Sequence, residues 1–141
     1  MDVELTNNEE WILAKRGVIP QDDVRSCVID GWVDTGATQV VIPKLVADSL
    51  GLDSVAKTGV KFADGRREQR DVVGNLRLKV CGRESVFRAI VEPGREDVLV
   101  GAIVLEDLDL LADPRTQTCY PRDPEQMLTE VEGFDTFTPA E

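Results

Sequence analysis

One carboxylate, that of Asp34, lies in a setting that favours acid–base chemistry. It opens the triplet Asp34-Thr35-Gly36, which follows the apolar pair Trp32-Val33 and occurs once in the chain. No Asp-Ser-Gly triplet accompanies it. The glycine lets another chain approach closely, because it has no Cβ. A single carboxylate on such a loop is half of a two-carboxylate acid–base pair. We therefore expect the chain to need a second copy of itself.

The chain contains no histidine, which narrows the chemistry available to it. This absence excludes Ser–His and Cys–His nucleophiles and histidine-based zinc sites. Carboxylates, lysines, tyrosine or hydroxyls must then carry any proton transfer. The cysteines Cys27, Cys81 and Cys119 are far apart in sequence and form no Cys-x-x-Cys pair. We interpret them as reduced, small, buried apolar residues, and we expect no metal site.

Composition indicates one soluble globular domain. The chain has 141 residues, of which 42% are hydrophobic, and its net charge is -11. This acidic balance argues against nucleic acid and anionic membrane surfaces as partners. No apolar run is long enough to span a bilayer, and the N-terminus lacks the features of a signal peptide. We predict a cytoplasmic protein.

Short β-rich segments separated by turn residues extend over most of the chain. Asp64-Gly65 is a strong hairpin signal, and Gly51 stands where a helix C-cap is expected. The predicted strands are residues 3–6 and 11–15, paired around Asn7-Asn8, and residues 24–28, 31–33, 40–42, 75–80, 86–91, 97–101 and 116–120. A further hairpin is predicted for residues 58–73, and helices are predicted for residues 43–50 and 102–108.

The chain changes character at residue 122. Its last twenty residues hold six acidic side chains and one basic side chain. We predict a folded domain over residues 1–121 and an acidic, flexible tail over residues 122–141, with one helical turn at 124–131. The acids Glu106, Asp107 and Asp109 are expected on a solvated face.

Four blocks resemble the retroviral-type (retropepsin-like) aspartic protease family, in its bacterial branch. They are Val33-Asp34-Thr35-Gly36-Ala37-Thr38, Val40-Val41-Ile42, Ala63-Asp64-Gly65-Arg66, and Asp97-Val98-Leu99-Val100-Gly101 followed by a short helix. The resemblance extends over about residues 24 to 121. The apolar block that ends in Gly101 gives it most of its specificity.

The resemblance implies a closed, mostly antiparallel β-barrel with one or two short helices. It also implies a homodimer without metal or cofactor that hydrolyses peptide bonds by attack of water. Asp34 would be the catalytic residue and would pair with Asp34 of the partner subunit. The other implied site residues are the active-site loop and dimer grip Thr35, Gly36, Ala37 and Thr38, the flap Phe62, Ala63, Asp64, Gly65 and Arg66, and the loop support Leu99, Val100 and Gly101.

Two alternatives remain open at the level of sequence. The sequence is compatible with a retropepsin-like dimerisation or peptide-binding module without activity, because a fold can persist where substrate access is lost. It is also compatible with a latent protease that matures by losing a terminal segment. Residues 63–66 fit an ordinary hairpin turn as well as a flap.

Overall fold

The computed structural model of the chain describes residues 1–132, and β-strands are the commonest regular element among them. The strands in this part are β1 (Asp2–Asn7), β2 (Ser26–Val33), β3 (Val40–Pro43), β4 (Ser54–Lys61), β5 (Arg67–Val80), β6 (Arg83–Glu92), β7 (Val98–Val100), β8 (Leu110–Asp113) and β9 (Thr118–Pro121). The helices are α1 (Asn8–Lys15), α2 (Lys44–Leu50) and α3 (Ala102–Asp107), and Gln21–Asp23 forms a 3-10 turn. None of the helices in residues 1–132 has the length and apolar character needed to cross a membrane.

Six strands close into a barrel. Their order is β1-β2-β7-β3-β6-β5, and β5 pairs back onto β1 to complete the ring. The pairings β2–β7 and β3–β6 are parallel, and the other pairings of the ring are antiparallel. This confirms the predicted closed β-barrel. The described residues hold three short α-helices, one more than the upper expectation of two.

Strand β5 changes partner half-way along its length, which produces a projecting arm. Its first half pairs with β4, and residues 76–79 pair with β1 instead. A register shift between Val73 and Leu76 marks the change, and Asn75 there has a φ of 56°. Because β4 pairs only with β5, the two strands form a ribbon outside the ring. We call this β4–β5 ribbon, residues 54–73, the arm.

Aliphatic side chains fill the barrel interior. Along β5, Leu76, Leu78 and Val80 are buried, whereas Arg77 between them is half-buried and Lys79 is exposed. Each such burial stabilises the fold by about 1.5–3 kcal/mol relative to an exposed side chain. The other fully buried large side chains are Val3, Leu5, Val40, Ile42, Leu50, Val98, Val100, Val104 and Leu108.

Residues 11–15 form part of α1, so the strand predicted there is wrong. Asn7 is a helix N-cap and not a turn residue, since its side-chain oxygen accepts a hydrogen bond from Glu10 N at 3.1 Å. Its amide donates to Leu50 O at 2.8 Å and thereby ties α1 to α2. Glu9 and Glu10 in the first turn and Lys15 in the last complement the helix dipole.

Most of the other predicted elements are found, but the segments predicted at 24–28 and 31–33 form the single strand β2, and one strand was missed. The two predicted helices correspond to α2 and α3, and Gly51 ends α2 in the left-handed region with a φ of 65°. Strand β8, which pairs with β9 as a separate hairpin, was absent from the sequence prediction. Residues 124–131 form no helix, contrary to expectation. The aromatic residues of the tail, Phe134 and Phe137, lie outside the described residues.

Two expectations about individual side chains are also wrong. Cys81 is exposed and not buried, because it occupies the turn between β5 and β6. Asp109 is only 11% exposed, and its carboxylate accepts hydrogen bonds from Arg122 Nε at 2.7 Å and Leu128 N at 2.9 Å. These bonds hold the segment that follows β9 against the end of α3. The domain boundary at residue 121 stays a prediction.

Candidate active site

Asp34 directly follows β2 and begins an exposed loop that leads to β3. Its backbone N–H donates to Val100 O at 3.1 Å, which fixes the start of the loop against β7. Its Oδ1 accepts a hydrogen bond from Gly36 N at 2.9 Å, and its carbonyl accepts one from Ala37 N at 3.1 Å. The loop is thus a tight turn closed around the aspartate, as expected of Asx turns.

The carboxylate itself is open to solvent. Asp34, Thr35, Gly36 and Thr38 are exposed, and Ala37 is half-buried. Within residues 1–132 no lysine or arginine lies within ion-pair distance of Asp34. The carboxylate therefore keeps acceptor capacity for a water molecule, a substrate or a second carboxylate.

Strand β7 and helix α3 support the loop from below. Leu99 pairs with both Trp32 and Val41, so β7 lies between the strands that enter and leave the loop. Two backbone N–H groups at the start of α3 donate to the loop: Ala102 N to Ala37 O at 2.8 Å and Ile103 N to Thr38 O at 3.0 Å. The structure thus places the predicted support residues Leu99, Val100 and Gly101 directly beneath the loop.

Gly101 is required by close packing of backbone against backbone. A Cβ at this position would lie 2.1 Å from Gln39 O and 2.7 Å from Thr38 O. Real Cβ atoms essentially never approach another atom so closely. The φ of Gly101 is -86°, so its need for glycine comes from this contact and not from backbone conformation. Any side chain here would displace the loop that carries Asp34.

The predicted flap residues form the tip of the arm. Phe62 N donates to Arg66 O at 2.8 Å, Gly65 N donates to Phe62 O at 2.9 Å, and Arg66 N donates to Asp64 Oδ1 at 2.9 Å. Gly65 has a φ of 87°, which explains the glycine of the Asp-Gly turn. Ala63 is exposed, as are Asp64, Gly65 and Arg66. No hydrogen bond joins residues 62–66 to residues 34–38.

Two guanidinium groups hold the arm near its tip. The Phe62 ring lies 4.3 Å from Arg66 Cζ and 5.6 Å from Arg70 Cζ. Arg70 also donates to both oxygens of Glu92, at 2.9 Å and 3.0 Å, and to Glu68. These hydrogen bonds raise the pKa of the Arg70 guanidinium above its ordinary value, and the bonds to Glu92 contribute more than the bond to Glu68. Arg70 thereby links the return strand of the arm to β6.

A family comparison matches this arrangement of loop, arm and supporting strand. The model of the gag-polyprotein putative aspartyl protease family matches residues 23–107, which contain the Asp34 loop, the arm and α3. The chain belongs to this family. The family region covers more than half of the chain and ends with α3, so that the β8–β9 hairpin lies outside it.

Solved structures of similar fold include the retroviral protease-like domain of Ddi1 from Leishmania major. That domain is 17% identical, with a TM-score of 0.51, and the match covers 87% of this chain and 88% of the domain. It supports the retropepsin-like fold of the chain. The solution structure of simian foamy virus (mac) protease is 22% identical, with a TM-score of 0.45, over 55% of this chain and 80% of that protein. No curated protein sequence matches significantly.

The structure also contains a cavity, close to the end of the Asp34 loop in sequence, that the sequence alone does not predict. This cavity of about 210 Å³ lies between the end of the Asp34 loop and the base of the arm. Gln39 contributes from the loop, Lys57 and Thr58 from β4, and Arg88 from β6. Alternation along β6 predicts that Arg88 faces away from the core, but only the fold shows that it shares a cavity with Gln39.

A metal-binding arrangement is not found near this site. Within residues 1–132, no group of three or more cysteine, aspartate or glutamate side chains is placed to hold a metal ion. The chemistry that the described side chains offer is that of a solvent-exposed carboxylate on a rigid loop.

Proposed function

We propose that this chain is an aspartic endopeptidase that acts as a homodimer. The observation that carries the proposal is the exposed Asp34 carboxylate, which is fixed by backbone hydrogen bonds yet has no cation beside it among the described residues. Family membership and the retropepsin-like fold support a protease-like protein. Because each chain supplies one such loop, a second copy has to supply the other carboxylate. That the chain belongs to the bacterial branch of the retropepsin-like proteases stays a prediction.

The proposed chemistry uses the two carboxylates in different protonation states. Two carboxyl groups held a few ångström apart cannot both ionise, so they share one proton. The ionised group takes a proton from water while the protonated group donates one to the carbonyl oxygen of the peptide. Water attacks the carbonyl carbon as these protons move, which gives a tetrahedral intermediate that is not covalently bound to the protein. This intermediate then collapses, the C–N bond breaks, and the nitrogen leaves as an amine with a proton from the carboxyl pair.

The neighbouring residues have distinct proposed roles. Thr35 grips the second loop across the dimer, and Gly36 and Ala37 present backbone groups and small surfaces to the substrate. Thr38 completes the loop, whose position depends on Gly101. The arm, with Phe62 near its tip, closes over the peptide and excludes water. The cavity between loop and arm receives a substrate side chain.

The experiment compares Asp34→Asn with the wild-type chain on a mixture of fluorogenic peptides between about pH 3 and pH 7. The Asn side chain keeps the Oδ1 acceptor for Gly36 N, so the variant should fold and melt as the wild type does. We expect it to lose cleavage completely. Asp22→Asn is the matched control, because Asp22 is also exposed but lies in the 3-10 turn away from the loop. Cleavage by Asp34→Asn would refute the proposal.

Mixing the two chains tests whether both subunits contribute. If one dimer needs two Asp34 carboxylates, an equal mixture of wild type and Asp34→Asn retains about one quarter of the activity of the same total amount of wild type. Independent subunits would retain about one half. Native mass spectrometry of a mixture in which one of the two chains is isotope-labelled should show mixed dimers, which confirms that the subunits exchange.

The alternative is a retropepsin-like module without activity. The charged arm favours it, since Asp64, Arg66 and Glu68 at the tip form ion pairs with one another instead of offering an apolar surface. A wild-type chain that forms dimers yet cleaves no peptide at any pH would support this alternative. Shortening of the purified protein over time, measured by mass, would instead support a latent protease.

A further inference from the structure

Two of the three cysteines, separated by 38 positions, come together in the fold. Cys81 Sγ lies 3.4 Å from Cys119 Sγ and 3.1 Å from Cys119 O. Cys81 occupies the turn between β5 and β6, and Cys119 lies in β9. The third cysteine, Cys27, lies in β2 and has no other thiol near it among residues 1–132.

The surrounding backbone fixes both thiols. Cys81 and Gly82 have φ values of 54° and 76°, and their neighbours Val80 and Arg83 pair directly. These features define a two-residue hairpin turn with little freedom. Cys119 is held by the pairing of β9 with β8. The two sulfur atoms therefore meet because two rigid elements pack together.

An independent contact clamps the same two elements. Arg83, the residue after the turn, donates from Nη1 to Leu108 O at 3.0 Å and to Asp109 O at 2.8 Å. Its side chain also donates to Asp123 O. Leu108 and Asp109 come directly before β8, and Asp123 follows β9, so the turn is held against both ends of the β8–β9 hairpin whether or not the thiols react.

We propose that Cys81 and Cys119 are a redox pair that forms an intramolecular disulfide when the chain meets a small disulfide such as oxidised glutathione. Cys81 is exposed, so its sulfur reacts first. Its thiolate attacks one sulfur of the glutathione disulfide, and one glutathione leaves. Cys119 Sγ then attacks Cys81 Sγ, and the second glutathione leaves with the proton of Cys119. Two protein thiols are oxidised, and one glutathione disulfide is reduced to two thiols.

The two cysteines are suited to different steps. Burial, followed by the hydrogen bond shared with Cys81, raises the pKa of the Cys119 thiol to about 12, so Cys119 is protonated at neutral pH. Cys119 is 8% exposed and cannot readily meet a bulky oxidant. It acts only on a sulfur already next to it, namely that of Cys81. This is the behaviour of a resolving cysteine.

The bond would connect the barrel to the element that supports the proposed active site. Gln117, in the turn of the β8–β9 hairpin, accepts a hydrogen bond at 2.7 Å from Val33 N, one residue before Asp34. The hairpin is otherwise held by non-covalent contacts. A disulfide would close the loop that contains β6, β7, α3 and β8. Closing a loop of this length should raise the melting temperature by on the order of 10 °C.

The test incubates the full reduced chain with oxidised glutathione and follows intact mass, free thiols and melting temperature. We expect a loss of two hydrogen atoms in mass, one remaining thiol at Cys27, and a higher melting temperature that dithiothreitol reverses. Peptide mapping should find Cys81 joined to Cys119. Cys27→Ser, the matched control, should behave as the wild type does.

Cys81→Ser is the decisive variant, because its exposed position makes misfolding a poor explanation for any change. It should show neither the mass loss nor the rise in melting temperature. The proposal is overturned if the wild type keeps glutathione on Cys81 without releasing it, or links two chains. It is also overturned if Cys81→Ser still forms an intramolecular disulfide. All these readouts are independent of peptide cleavage.

Discussion

Replacing Gly101 by alanine should displace the loop that carries Asp34. The new Cβ would start 2.1 Å from Gln39 O, and ordinary contact begins at 3.4 Å, so the two segments must separate by about 1.3 Å. The obstructing atoms belong to the backbone and cannot rotate away. The shift would strain or break the two hydrogen bonds from α3 to Ala37 O and Thr38 O.

The size of the effect follows from these contacts. Loss of two backbone hydrogen bonds costs about 1 kcal/mol each, and overpacking adds about 1–3 kcal/mol. We therefore expect Gly101→Ala to lower the free energy of unfolding by about 3 kcal/mol or more and the melting temperature by roughly 10 °C. Since misplacement by about 1 Å costs on the order of 100-fold in rate, any peptidase activity should fall by that factor.

Thermal unfolding followed by circular dichroism and peptide cleavage measure the two effects. Gly59→Ala is the matched control for stability, because a Cβ there meets only Gln69 Nε2 at 4.0 Å. It should stay within about 0.5 kcal/mol of the wild type. If Gly101→Ala unfolds at the wild-type temperature, the reasoning about loop support is wrong.

Three further changes test the contacts that hold the fold together. Asn7→Ala removes both the α1 cap and the bond to Leu50 O, and denaturant unfolding should show a loss of about 2 kcal/mol. Arg70→Gln breaks the paired hydrogen bonds to Glu92, and hydrogen exchange of the arm should rise at least tenfold while that of β1 does not. Hydrogen bonds from Leu128 N and from Arg122 lower the pKa of the Asp109 carboxyl. Asp109 therefore helps to hold the segment that follows β9 at pH values above its unfolded pKa of 3.8, and this contribution is lost as the pH falls below that value. Proteolysis near Leu128 should accelerate in acid for the wild type. In Asp109→Asn it should be fast at every pH, and the variant should still fold, because asparagine tolerates the φ of 55° at this position.

Local signals in the sequence were sufficient for much of the fold. The Asp64-Gly65 turn, the glycine that ends α2 and the alternation along β5 each depend on neighbouring residues, and each is found in the structure. Local signals do not predict the order of the strands in the ring, because pairings such as β1–β5 join distant parts of the chain. The family resemblance predicts a closed barrel but not the order of its strands.

The failures have two physical causes. At Asn7 the sequence carries two competing local signals, because Asn7-Asn8 favours a turn whereas Asn7 with Glu10 three residues later favours a helix N-cap, and the N-cap is what forms. The other failures depend on contacts between distant parts of the chain. Strand β8 is short and becomes a strand only by pairing with β9. The meeting of Cys81 with Cys119 likewise depends on how two distant hairpins pack. The second carboxylate of the proposed dyad belongs to another molecule, so a single chain shows only half of that site.

Closure of the barrel has a consequence for how the chain folds. Strand β1 is synthesised before the rest of the barrel, but one of its two partners is the stretch of β5 at residues 76–79. Contacts between such distant segments slow folding to the range of milliseconds to seconds, because loop entropy is lost before they form. Until then the edges of β1 and β5 stay unpaired and are prone to association with other chains. Strand β1 therefore has to wait until residues 76–79 have been synthesised before the barrel protects it.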